Sequence, residues 1–176
     1  MIAGDPLGEV PERRPARLWL VPVLSTLAGS ALSVSPFVVT VPLMPPLGLL
    51  MLVAWRLLRP EMWGAWVALP LGLADDLIVG APLGSGMAVW TIVLLGLDVA
   101  DHRLLWRDYW ADWGLAIAAL SFATLAAWAI ALFSGGAGPP WTAAVQALFA
   151  ALLFPTAARL CRMLDKWRLG DRARIR

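Results

Sequence analysis

Residues Trp113–Phe133 read WGLAIAALSFATLAAWAIALF, an apolar run without one charged side chain. At ~1.5 Å per residue a helix of that length covers about 30 Å, the thickness of a bilayer's hydrocarbon core. Five more stretches read the same way: Leu18–Thr40, Leu43–Leu58, Trp63–Val79, Leu83–Ala100 and Trp141–Leu160. Six spans of roughly 20 residues occupy most of the chain and leave no room for a soluble domain. The composition agrees, with 60% hydrophobic residues and a mean hydropathy of +0.74. The expected fold class is therefore all-α, a polytopic membrane protein of six transmembrane helices.

Cut in this way, the chain places all fourteen Lys and Arg residues on one side. Arg13, Arg14 and Arg17 precede the first span, Arg56 and Arg59 follow the second, and Arg103 and Arg107 follow the fourth. Arg159, Arg162, Lys166, Arg168, Arg172, Arg174 and Arg176 lie at and beyond the end of the sixth. The opposite loops, around Ser35–Pro42, Gly80–Pro82 and Ser134–Pro140, carry none. The positive-inside rule then puts both termini in the cytoplasm. The net charge of +2 does not indicate nucleic-acid binding, because the basic residues read as loop anchors beside an anionic leaflet, which makes membrane lipids the first partners. Most of the eleven Trp fit an aromatic belt: Trp19, Trp63, Trp106, Trp110, Trp113 and Trp167 near the basic face, and Trp141 at the other. Trp66, Trp90 and Trp128 fall within spans and read as packing residues.

Three units follow: a tail over 1–17, a six-helix domain over 18–164 and a basic cytoplasmic tail over 165–176. The first tail holds three Pro and mixed charge and reads as disordered. Arg13–Arg17, the apolar Leu18–Leu27 and the small Ala28, Gly29 and Ser30 resemble a cleavable signal peptide. The apolar sequence runs on to Val41, however, which favours an uncleaved first span. Within that span Ser25, Gly29 and Ser33 form a small-residue stripe at four-residue spacing, suited to close approach by a helix of this chain or of a partner. The second span is short and broken by Pro36, Pro42, Pro45 and Pro46. Its unbroken part reaches only about 21 Å, so the Phe37–Pro46 segment is expected to pack against neighbouring helices.

The third span holds two carboxylates, Asp75 and Asp76, which at membrane depth must face protein or water. Adjacent helical positions point about 100° apart, so the two address different surroundings and do not form an acid dyad. Gly72, Asp76 and Gly80 share one stripe, where a neighbouring element can approach and hydrogen-bond, while Asp75 points elsewhere, toward a possible cavity. A structural carboxylate and a site in a transport path both remain open. Asp98, Asp101 and His102 form a second polar cluster at the end of the fourth span. Asp98 and His102 could share a helix face as a metal pair would, yet the His sits where solvent and the helix dipole favour a cation, so no metal is assigned. Cys161 is alone, which excludes an intrachain disulfide. No cofactor motif or catalytic constellation is present.

The stretch from Gly72 to Gly84, GLADDLIVGAPLG, resembles the hallmark G-L-x-x-D-x-x-x-G-x-x-L-G of the rod shape-determining protein MreD family. Gly72, Leu73, Asp76, Gly80, Leu83 and Gly84 stand at its fixed positions, and Asp75 is an acid outside the pattern. Upstream, Pro46, Leu50, Trp55 and the Arg59–Pro60 pair resemble the family's second-span segment. The resemblance implies a non-enzymatic scaffold of the bacterial elongation machinery in the inner membrane. Its partners would be MreC, MreB, RodA and the penicillin-binding protein that works with RodA. It also implies a fold like the substrate-binding subunits of energy-coupling-factor transporters. A vitamin-binding transporter subunit is accordingly the alternative function.

Overall fold

The computed structural model describes residues 17–34, 44–103, 109–136 and 138–170. Among them are six α-helices and no strand: α1 (Arg17–Ser33), α2 (Leu47–Leu58), α3 (Ala68–Val79), α4 (Ser85–Arg103), α5 (Tyr109–Phe133) and α6 (Trp141–Gly170). A single 3-10 turn, Ala65–Val67, leads into α3. The break at Pro60 is local chemistry: proline disfavours helix in the residue before it, and α2 stops at Leu58. The Phe37–Pro46 segment, expected to pack against neighbouring helices, lies largely outside the described residues, as do the N-terminal tail, Trp106 and the end of the C-terminal tail.

The helices are not six equal spans. Among the described residues, only α5 and α6 are both long and apolar enough to cross a membrane by length and composition. Helix α2 has 12 residues, about 18 Å of rise, and its ten residues from Gly48 to Leu57 are all buried. It is apolar on every side because it has protein on every side: α1, α4, α5 and α6 all pack against it. The shortest apolar segment is thus the centre of the molecule. Its length need not match the bilayer, because protein rather than lipid surrounds its backbone.

The outer helices show the reverse. Helix α5 buries only Ala116, Leu120, Ala123 and Thr124, a narrow seam at i, i+4, i+7 and i+8, and leaves Phe122, Leu125 and Leu132 exposed. Phe133 is 91% exposed, and Leu24, Leu77, Leu83, Leu95 and Leu152 are also outward. Water would not tolerate so extensive an apolar surface on a monomer, whereas hydrocarbon solvates it. The protein is a membrane protein.

Helix α6 continues to Gly170 rather than stopping near Leu160. Asp165 is buried, and the Arg168 guanidinium lies 5.4 Å from the Trp55 ring centroid. Asp165 and Arg168, in the stretch read as a basic tail, therefore pack against the helices. Helix α5 likewise begins at Tyr109, one turn before Trp113. Trp90 is buried in the core. Trp66, read as a packing residue, is mostly exposed and stacks on Trp19 at 6.2 Å, bracing the starts of α1 and α3.

The basic end of the bundle is held by ion pairs. Arg56 is buried at the end of α2 and pairs with Asp98 and, at 2.8 Å, with Asp101, both on α4. Arg59 reaches Asp165 on α6 at 2.8 Å, and Arg168 reaches the same carboxylate at 2.5 Å. Read from the sequence, Arg56 and Arg59 are loop anchors beside an anionic leaflet. Here Arg56 is a buried tie and Arg59 a half-exposed one, because the ends of α2, α4 and α6 gather at one end and acidic side chains meet them there. Asp98 and Asp101 both meet the Arg56 guanidinium.

Candidate functional site

The candidate site is the turn from α3 to α4, where one residue works twice. The Asp76 carbonyl accepts the N–H of Gly80 at 2.9 Å and of Ala81 at 3.1 Å, which closes the last turn of α3. Gly80 stands there at φ +73, the left-handed conformation that ends helices and that a side chain disfavours. The Asp76 carboxylate meanwhile accepts the Gly84 N–H at 2.8 Å, the Gly86 N–H at 2.7 Å and the Ser85 hydroxyl at 3.1 Å. These donors open α4, whose first N–H groups have no partner within the helix. A negative charge at that position also opposes the positive end of the helix dipole. Asp76 is 1% exposed, so this capping interaction is almost wholly withdrawn from solvent.

Two glycines make the approach possible. A Cβ on Gly72 would stand 2.7 Å from the Met87 Cα and 2.8 Å from the Gly86 carbonyl oxygen. A Cβ on Gly86 would stand 2.6 Å from an Asp76 carboxylate oxygen. At this crossing α3 and α4 meet backbone to backbone. Gly84, at φ +92, supplies the remaining turn before α4. Gly72, Asp76, Gly80 and Gly84 therefore form one hairpin-closing device, while Leu73 and Leu83 project outward. Gly86 belongs to the same device although it lies outside the motif. Only its position two residues after Gly84 hinted at it.

Asp75 faces a different environment, between α3 and the α1–α2 pair. Ser30, fully buried on α1, hydrogen-bonds to it. Gly48 on α2 leaves the space in which they meet, since a Cβ there would collide with the Ser30 hydroxyl and lie 3.2 Å from an Asp75 carboxylate oxygen. The stripe on α1 is turned onto α2. Ser25 accepts the Trp55 indole N–H at 2.8 Å, Gly29 lies against the Leu47 carbonyl, and Ser33 accepts the Leu47 N–H at 3.2 Å. These small residues are spent inside the chain, so this face of α1 is not open to a helix from outside.

A family model for the rod shape-determining protein MreD matches residues 14–164, most of the chain and every residue of the hairpin. The chain belongs to the MreD family. No curated protein and no solved structure matches it. Membership makes this a rod shape-determining membrane protein. The MreD motif then has a structural role in this chain: four of its six positions close the α3–α4 turn, and the two leucines lie at the surface beside it.

Proposed function

We propose that this MreD-family protein is a non-enzymatic scaffold in the inner membrane, crossing it six times with both termini cytoplasmic. It would link MreB and MreC to RodA and its penicillin-binding partner. The family match carries this reading, and the uneven use of the motif supports it. Gly72, Asp76 and Gly84 are occupied within the hairpin, which leaves Leu73 and Leu83 outward, with Leu77 one turn beyond Leu73 on the same face of α3. Three residues from both Leu77 and Leu83, a Cβ on Gly80 would meet no atom of the described residues. A ridge of leucines next to a bare glycine suits a single-span partner helix, which in hydrocarbon must bind by close van der Waals packing. A rigid hairpin would keep that ridge in one shape.

The test is depletion in the native bacterium with cell width as the readout. Rods should widen or round up, and the wild-type gene should restore them. A Leu77→Trp/Leu83→Trp variant should accumulate normally, fail to restore width and lose co-purification of the single-span partner. Normal width after depletion would sink the shape role. Restored width with the double variant would move the partner surface elsewhere.

A further inference from the structure

We propose that the exposed face of α6 at the basic end is a binding site for the headgroup of an anionic phospholipid, with an acyl chain lying along the same helix. At 30 residues α6 spans about 45 Å, so about ten residues extend beyond a ~30 Å hydrocarbon layer. That extension is held in place on its inner side. Cys161 is fully buried, and Asp165 is neutralised by Arg59 and Arg168. On the opposite side Arg159, Arg162, Met163 and Lys166 line a shallow concavity of about 280 Å³. Arg162 uses its Nε on the Ala158 carbonyl at 3.2 Å, which leaves its remaining N–H groups for a ligand. Among the described residues no carboxylate lines this concavity, so three cations lie within about 11 Å of helix rise with no acid among them.

What selects a lipid over another anion is the continuation of this face. Leu148 and Leu152 are both exposed and lie at the helical spacing that leads to Arg159, Met163 and Lys166. Read along the axis, the face is apolar first, then mixed at Met163, then cationic. A phospholipid has the same profile from chain to phosphate. Guanidinium groups suit phosphate oxygens through paired hydrogen bonds, and Lys166 adds a point charge.

This inference rests on the proposed membrane orientation only in placing the site in the cytoplasmic leaflet; the binding itself is measured without a cell. Full-length protein in a zwitterionic detergent would be titrated with phosphatidylglycerol and with phosphatidylcholine, and the bound lipid counted by native mass spectrometry. Wild type should prefer phosphatidylglycerol. A basic side chain near an anionic lipid contributes about fivefold, so Arg159→Gln/Arg162→Gln/Lys166→Gln should weaken phosphatidylglycerol binding roughly 100-fold. The charge-matched variant Arg172→Gln/Arg174→Gln/Arg176→Gln should stay near wild type. If the first variant lost helix content by circular dichroism, Arg162→Gln alone would carry the test at about fivefold. Equal loss in both triple variants would mean diffuse attraction and overturn the site, as would a wild type without headgroup preference. Cell-width rescue by the first variant reads the scaffold role separately, so either proposal can fail alone.

Discussion

Replacing Asp76 with Ala should be among the most damaging single changes to this protein. The substitution removes the acceptor for the Gly84 and Gly86 N–H groups and the Ser85 hydroxyl. Hydrogen bonds to a charged acceptor contribute about 1.5–3 kcal/mol each, and loss of a helix N-cap costs about 0.5–2 kcal/mol. The three bonds share one carboxylate, and water can reach the turn once the side chain is gone, so the costs do not add. A loss of about 2–4 kcal/mol is expected. Asp76→Asn should cost somewhat less, about 1–3 kcal/mol, since one oxygen still accepts while the amide N–H₂ opposes a backbone N–H. Asp75→Asn should cost under about 1 kcal/mol, because an amide oxygen can still accept the Ser30 hydroxyl. Reversible unfolding of full-length protein in mixed micelles with dodecyl sulfate, followed by Trp fluorescence, reads all three variants. The reasoning fails if Asp76→Ala lies within about 0.5 kcal/mol of wild type, or if Asp75→Asn is the costlier of the two amides.

The glycines of the hairpin should separate by cause. Gly86→Ala places a Cβ against the Asp76 carboxylate and should cost about 1–3 kcal/mol by overpacking, whereas Gly80→Ala meets open space and should cost only about 1–2 kcal/mol of left-handed strain. Equal destabilisation by Gly86→Ala and an Ala at the unencumbered Gly96 would argue against the close crossing. Arg56→Met removes the guanidinium that Asp98 and Asp101 share, and in the same micelle assay should cost about 3 kcal/mol, lessened because Asp98 is one-third exposed. Adding Asp98→Asn and Asp101→Asn should recover part of that loss, and no recovery would argue against the pairing. Ser25→Ala orphans the buried Trp55 indole N–H and should cost about 1–3 kcal/mol, with Ser25→Thr nearer wild type. A silent Ser25→Ala would place that N–H on another acceptor.

Much of this protein was legible because the signals are local. A run such as Trp113–Phe133 must be helical in hydrocarbon, where each backbone group needs a partner within its own segment. Pro60 and Gly80 announce helix ends through their own backbone preferences. Four-residue spacing put Gly72 and Asp76 on one face, and that face meets α4. The pairings themselves were not legible. Nothing near Arg56 in the chain distinguishes a lipid anchor from a buried ion pair, since its acids lie on α4, and the acid that binds Arg59 is on α6. Nor does anything local distinguish Gly48 and Gly86, which admit close approach, from Gly96 and Gly114, which face open space. The same limit applies to α2, whose hydropathy reads as a weak span and whose position is the enclosed centre. Hydropathy and backbone preference are properties of a segment, so the approximate positions and apolar character of the helices were determined by the sequence alone. Burial and the pairing of charges depend on which distant segments meet, and only the tertiary structure decided those.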